Sequence, residues 1–511
     1  MQRRTFFQSA AAATAALTLR PGGAVAALAI PAQPSRRRWR DVEAVTGDGR
    51  PVTLPASAID DLRSRLHGQV LLAGDEGYEA ARRIMNPSFD RHPALIAQVT
   101  GAADVRAAVD FARDHGGLLL AVKCGGHSFS GASTCDRGMM IDLSRFRHVR
   151  VDPAARRAWV AGGTLLGQID HEAMSHGLVT PVGTVSHTGV GGLVTGGGFG
   201  RLGRRFGMSI DNLEGVEVVT ADGRLLRANA EENADLFWGV RGGGGNFGVV
   251  TNFEFRLHPM DRRVIAGDIV YPIAVARNGL EFFAEYGRRL PDEMDIGFVM
   301  AQPPGNEPGV FVLTVFYSGP PERADALIAP IRRIGTPIAD SVGPADYLAV
   351  QRSGDVTDPR ALAVYLKSGF LPDITPKLID AILDRFEGDP ERGTAVFCQE
   401  GGGAIHRVAP DATAFSQRDV RTNLLAATSW RAGTDGSRHA DWVRNYWTGI
   451  DPFTYGFYVN DLDPDHTGAA IQANYRQNLS RLVALKNTYD PTNLFRLNAN
   501  IRPTAGGIST G

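Results

Sequence analysis

Apolar and polar positions change period several times between residues 96 and 257, and each change marks an element. Val105, Ala108, Val109 and Ala112 recur at helical spacing behind Asp104, which reads as the cap, and Gly116-Gly117 stop the helix. The unbroken apolar run LLLAVK (118–123) then predicts a buried strand, and MMIDL (139–143) predicts the next. RHVRVD and RRAWVAG alternate with period two around Pro153-Ala154-Ala155, so they form a hairpin, and GQIDHEAMSHG follows as a short helix. VEVVTADGRLLRA is a second hairpin, turned at Asp222-Gly223. The region closes with 234–257, a helix-like ADLFWGVRG, a glycine run and the strand VVTNFEF.

From about residue 263 the texture differs. DIVYPI, DIGFVMA and GVFVLTVFY alternate as strands, separated by helical stretches such as GLEFFAEYGRR and KLIDAILDRF. Their irregular succession predicts an antiparallel sheet backed by helices. After Tyr455 come the strand-like YGFYVN, a helix through Arg481–Lys486 and the closing DPTNLFRLNANIRP.

A chain of 511 residues exceeds one typical core, so two domains or three are expected. The 43% hydrophobic and 21% charged residues are ordinary for a soluble protein. A net charge of −1, with no basic run in the body of the chain, argues against nucleic acid or an anionic membrane surface as the partner. Cys124, Cys135 and Cys398 cannot build a disulfide framework, although the spacing leaves a Cys124–Cys135 bridge open, and no Cys/His spacing points to a metal. At the N-terminus Arg3-Arg4 precede the alanine-rich run Ser9–Leu19, and Ala24-Val25-Ala26 and Ala27-Leu28-Ala29 offer cleavage sites. Residues 1–29 therefore read as a twin-arginine signal, too short for a membrane anchor, that exports a folded protein to the periplasm or beyond. Residues 30–84 are a lead-in.

Glycine placement carries the chemistry. Gly243-x-Gly245-x-x-Gly248 formally matches a dinucleotide fingerprint, but a helix precedes it and a strand follows, the reverse of what that motif requires. Three glycine-rich loops remain, at 123–131, 183–200 and 242–248, and backbone N–H groups freed by glycine suit a diphosphate without lysines. His127 stands directly after Gly125-Gly126, so its imidazole is held against whatever that backbone approaches.

At these residues the sequence resembles the FAD-linked oxidases of the vanillyl-alcohol oxidase/PCMH type, in particular the berberine-bridge-enzyme-like branch. The resemblance runs from Met85-Asn86-Pro87 to Pro503. It rests on DVRAAVDFARDHGGLLLAVKCGGHSFSG, GVGGLVTGGGFGRLGRRFGMSIDNL, DLFWGVRGGGGNFGVVTNFEF, FYVND and YRQNLSRLVALKNTYDPTNLFRLNANIRP, in that order. It implies an α+β fold: a PCMH-type FAD-binding domain (85–262, rejoined by 455–511) and a substrate domain (263–454) with an antiparallel sheet backed by helices. It further implies FAD bonded covalently to His127. The place of a second, cysteine anchor holds Val185, so a single attachment is expected, as in the hydroxynicotine-oxidase-like bacterial members.

The cofactor contacts carried over are Gly125, Gly126 and Ser128 in the first loop and Thr188, Gly189, Gly192, Gly197 and Gly198 in the second. Asn212, Val249, Asn460 and Asn498 complete them. Tyr458 is the implied catalytic residue, with His187 the second candidate. A tyrosine of ordinary pKa, about 10, is a poor base at neutral pH, so Tyr458 needs a partner that lowers it. Lys367, Tyr365, Gln399, Glu400 and His406 are the candidates. The implied reaction takes a hydride from a C–H next to oxygen or nitrogen of a small substrate, with oxygen reduced to hydrogen peroxide. Thr188, where a branched apolar residue is common, leaves open a dehydrogenase using a quinone or protein acceptor, and a catalytically silent flavin-binding protein is the remaining alternative. Substrate identity and oligomeric state stay open.

Overall fold

The parallel strands that carry the first glycine loop lie in a four-stranded sheet ordered Gln69–Leu71, Leu95–Gln98, Met139–Asp142, Leu120–Lys123. The computed structural model that shows this describes residues 40–504, apart from 306, 356, 357 and 359, so the twin-arginine segment lies outside the described residues. Every residue of Leu95–Gln98 and Met139–Asp142 is buried, which is why these strands read as continuous apolar runs and not as alternating ones. The helix Ala102–Asp114 makes the crossover and ends where Gly116 and Gly117 adopt φ of +85° and +69°. Asp104 is not the cap residue: the helix starts behind Gly101, and Asp104 sits in its first turn. Its carboxylate accepts the backbone N–H groups of His67 (2.8 Å), Gly68 (2.9 Å) and Thr100 (2.9 Å), so it ties the lead-in to the residues just before the helix instead of capping it. The lead-in is thereby fastened down, and its strand Gln69–Leu71 pairs antiparallel with Leu95–Gln98.

A second, five-stranded antiparallel sheet runs Leu225–Asn229, Leu213–Val219, Val249–Arg256, Arg157–Ala161, Val149–Asp152. Both hairpins read from period-two alternation are present, the second closed by the Thr220 N–H donating to the Arg224 carbonyl at 3.0 Å. Helix Ala234–Val240 precedes the third glycine loop and strand Val249–Arg256 follows it, the order that excludes the dinucleotide fingerprint.

The middle of the chain forms an eight-stranded antiparallel sheet whose central strands are Val310–Tyr317, Met294–Gln302, Arg392–Glu400 and Thr422–Arg431. Helices Ala276–Tyr286, Pro376–Leu383 and Ser437–Ile450 pack on it through Leu280, Phe283, Ile379, Ile382, Val443 and Trp447. The molecule is thus α+β. This sheet and its helices share one apolar cluster, whereas the five-stranded sheet shares another with Tyr458, Ile471, Leu482, Leu485 and Ile501 from the end of the chain.

YGFYVN does not form a strand. Tyr455 N–H donates to the Phe370 carbonyl and Phe370 N–H to the Gly456 carbonyl, both at 2.9 Å, but Gly456 at φ +112° turns the chain away, and Val459–Asp461 is a single 3-10 turn. Further on, the helix Leu479–Tyr489 buries Lys486 completely. Its ammonium donates to the Asn246 carbonyl (2.9 Å), the Phe495 carbonyl (2.9 Å) and Asp490 Oδ2 (2.8 Å). Asn246 in turn donates to the Ala499 carbonyl at 3.0 Å, so the third glycine loop and the closing segment are one hydrogen-bonded unit. All three cysteines are free, so the Cys124–Cys135 bridge is not formed.

Candidate active site

The three glycine loops, the closing segment and one end of the eight-stranded sheet enclose a cavity of about 480 Å³, in the range of cofactor sites. The first loop reaches it as a continuation of Leu120–Lys123, and Gly126 turns it with φ +71°. Gly125 is glycine for a different reason. A β-carbon there would fall 2.3 Å from the Gly189 nitrogen, and one on Gly189 would fall 2.2 Å from the Gly125 nitrogen. The first two loops therefore touch backbone to backbone. Gly192 differs again: it lines the cavity, and a β-carbon on it meets nothing within 4 Å, so its missing side chain leaves room inside.

The contact between the loops brings His127 and His187 together. His127 Nε2 lies 2.7 Å from His187 Nδ1, and His127 Nδ1 lies 3.3 Å from Thr188 Oγ1. Burial pushes the His127 pKa down to about 4, with His187 adding to the shift, so the imidazole is neutral at physiological pH. His187 itself is not on the cavity wall. It stands as the partner of His127, which is a different post from bordering the ligand.

Tyr458 is 2% exposed and lies on the wall. Its hydroxyl oxygen accepts the Gly198 N–H at 2.8 Å and Asn460 Nδ2 at 2.7 Å. Asn460 Nδ2 also donates to the Leu193 carbonyl at 2.9 Å, which fixes the amide with its nitrogen toward the tyrosine. Burial raises the Tyr458 pKa well above its ordinary value, against the lowering effect of these donors, so the phenol keeps its proton. The expected lowering partners are engaged elsewhere. Lys367 pairs with Asp463 at 3.2 Å, Tyr365 donates to Asp465, Glu400 faces Arg421 at 3.6 Å and His406 bonds the Val420 carbonyl at 2.9 Å. Only Gln399 of that group reaches the cavity wall.

Gly125, Gly126, Ser128, Thr188, Gly189, Gly192, Val249, Asn460 and Asn498 all line the cavity with His127 and Tyr458. Gly197 and Gly198 do not; they lie behind the Tyr458 ring, where a β-carbon on Gly197 would be 3.4 Å from Cε2. Asn212 does not reach it either. Its amide is turned into its own loop, donating to the Phe206 (3.0 Å) and Met208 (2.9 Å) carbonyls, with Oδ1 2.6 Å from His258 Nε2. The sequence reading missed Asp461, a buried carboxyl on the wall that accepts from Asn423 Nδ2 at 2.8 Å and is raised by burial to about 7. An acid set in the apolar, aromatic FYVND next to Tyr458 was the available signal.

Residues 93–229 match the FAD binding domain family and residues 457–502 match the family described as berberine and berberine like. An FAD-linked oxidoreductase of Dictyostelium discoideum is 31% identical over 450 residues, covering 87% of this chain and 97% of that protein. The chain belongs to the berberine-bridge-enzyme-like FAD-linked oxidoreductases. Among solved structures of the family, 6-hydroxy-D-nicotine oxidase from Arthrobacter nicotinovorans superposes with a TM-score of 0.77 at 27% identity, covering 85% of this chain and 98% of that one. A xylooligosaccharide oxidase from Myceliophthora thermophila, solved with xylobiose, gives 0.77 at 26% identity, covering 88% and 99%. The residues present suit FAD: glycine backbone faces the cavity on three sides, and Asn498 Oδ1, on a wall residue, is buried with no hydrogen-bond partner among the described residues.

Gly192→Val should fill cavity space without meeting a neighbour. The purified variant is expected to keep the wild-type circular dichroism spectrum and to contain less than about a tenth of the wild-type flavin, measured by absorbance. Normal flavin content would show that the ligand does not pass over this residue.

Proposed function

We propose that the enzyme removes a hydride from a C–H next to oxygen or nitrogen of a small organic substrate, with molecular oxygen as the final acceptor and hydrogen peroxide as product. In this proposal FAD is held covalently through His127 alone. The observation that carries the reading is that a neutral imidazole braced by a second histidine and a tyrosine hydroxyl held by two donors stand on one glycine-lined cavity. Relatives named as oxidases of a hydroxynicotine and of xylooligosaccharides support the reaction class.

FAD, when bound, supplies the two-electron acceptor. The chain does the rest. A neutral His127 has the nitrogen lone pair that a covalent attachment needs. Val185 stands where a cysteine would give the second bond, and Cys124, on the same wall, is held as a thiol because burial pushes its pKa up to about 11. Tyr458 accepts two hydrogen bonds and so has its own O–H left to donate to a substrate heteroatom. It serves as a positioned donor, a role that needs no lowered pKa. The division proposed is an FAD-binding part (85–262 with 455–511) and a substrate part (263–454); the apolar cluster of the eight-stranded sheet, wholly within 263–454, supports it, while Phe370, Ile405, Ala414, Phe415 and Val420 of that stretch pack with the five-stranded sheet. Export through residues 1–29 belongs to the same proposal, since a folded, loaded protein is what a twin-arginine signal carries.

Acid-precipitated enzyme should stay yellow, and the tryptic peptide containing His127 should carry the mass of FAD, while His127→Ala should release its flavin. Colourless wild-type precipitate would remove the covalent bond from the proposal. Tyr458→Phe should slow anaerobic flavin bleaching by about 10²–10³-fold with an unchanged visible spectrum and covalent loading; a rate within about threefold would assign the tyrosine to packing. Replacing Arg3-Arg4 with Lys-Lys should leave active, loaded enzyme in the cytoplasm, and equal periplasmic yield would point to another route.

A further inference from the structure

Among the described residues on the cavity wall, only Cys124, His127, Tyr458 and Asp461 have side chains that can ionise, and none is a lysine or arginine. The sign of the cavity is therefore set by one carboxyl group. Asp461 is 6% exposed, and its described side-chain hydrogen bond comes from a neutral amide, Asn423 Nδ2 at 2.8 Å. That amide also donates to Gln399 Oε1 at 3.0 Å, making a small polar corner in a wall otherwise built here of Phe397, Leu425 and Leu462. Four other buried acids near this end of the molecule have cations: Asp463 has Lys367 at 3.2 Å, Asp490 has Lys486 at 2.8 Å, Glu400 has Arg421 at 3.6 Å and Asp211 has Arg418 at 2.7 Å. Asp170, off the cavity wall, is instead met by two neutral donors, Tyr347 at 3.1 Å and Gln351 at 3.2 Å. Asp461 has no ion-pair partner among the described residues. A buried carboxylate is costly unless it is paired, and a cavity that holds one while excluding lysine and arginine is a receptor for a cation supplied from outside.

We propose, building on the oxidoreductase reading above, that Asp461 receives the protonated nitrogen of an amine substrate, so that the bond oxidised is a C–H next to nitrogen. The carboxylate pairs with the ammonium and then takes its proton: the N–H bond breaks, an O–H bond forms on Asp461, and the electron pair stays on nitrogen. FAD, when bound, would supply the two-electron oxidant: the adjacent C–H bond would break with its hydrogen lost as hydride, and the freed nitrogen pair would close a C=N bond to give an iminium product. The proton on Asp461 returns to solvent when the product departs. Tyr458, which immediately precedes the 3-10 turn Val459–Asp461, keeps its donor role on the same wall. A neutral alcohol can give Asp461 a hydrogen bond but no opposite charge, and that difference is the physical basis of the discrimination.

The test uses flavin-loaded enzyme and two probes of similar size, benzyltrimethylammonium and benzyl alcohol, with binding followed by calorimetry. The ammonium ion has no N–H and cannot be oxidised, so binding is read apart from turnover. Wild type should bind the cation at least about tenfold more tightly than the alcohol, and Asp461→Asn should lose that preference while retaining its flavin spectrum. Equal binding of the two probes by wild type, binding of neither, or a preference that survives in Asp461→Asn overturns the inference. A panel of primary and secondary amines against alcohols of the same carbon skeletons, read by anaerobic bleaching of the wild-type flavin, needs no variant to fold. Bleaching by amines supports the inference. Bleaching by alcohols alone overturns it and leaves the oxidoreductase reading standing, whereas protein that holds no flavin overturns both.

Discussion

The site depends on the contact between Gly125 and Gly189, where two loops from different parts of the chain meet with no side chain between them. Any β-carbon at either position would enter the other's backbone. Because the loops close to this distance, the residues just beyond them are brought into hydrogen-bonding range: His127 to His187, and Thr188 to His127. The desolvation that keeps His127 neutral has the same origin, since two packed backbones exclude water better than one loop can. A glycine pair next to a histidine is thus a device for joining loops first and for meeting a ligand second.

The tyrosine is held by a comparable indirect arrangement. The Leu193 carbonyl orients Asn460, Asn460 and the Gly198 N–H hold the Tyr458 oxygen, and Phe199 packs edge-on against its ring with centroids 5.1 Å apart. Gly197 and Gly198 serve the cofactor site through this tyrosine. Both are glycine because φ of +136° and +87° would strain any other residue there, and because a β-carbon would fall 2.7 Å from Met208 Cε at Gly197 and 2.1 Å from Ser209 Oγ at Gly198.

Most of the scaffold was legible because burial imprints a period. The parallel strands read as solid apolar runs, both hairpins as alternation with a turn residue in place, and the helix–glycine–strand order of 234–257 was enough to discard a misleading motif. The site was legible where a residue type does a job by itself, as His127 does. It was not legible where the job is set by partners. Asn212 looks like any polar loop residue, and only its contacts show that it serves its own turn. Lys367 and Glu400 read as spare charges until their ion pairs are seen. Asp461 was visible as an acid within FYVND, but what sets it apart from other acids, the lack of an ion-pair partner among the described residues, shows only in its contacts. YGFYVN failed as a strand because one glycine with positive φ outweighed four residues of strand propensity.

Lys486 links the third glycine loop to residues near the end of the chain, and Asn498 and Ala499 complete the cavity wall. The two partners of the Lys486–Asn246 contact stand 240 positions apart in the chain. Contacts of such separation form only after long stretches between them are ordered, so the pocket takes its finished shape late in folding. A molecule in which this contact is broken would offer the cofactor an open groove in place of an enclosed site.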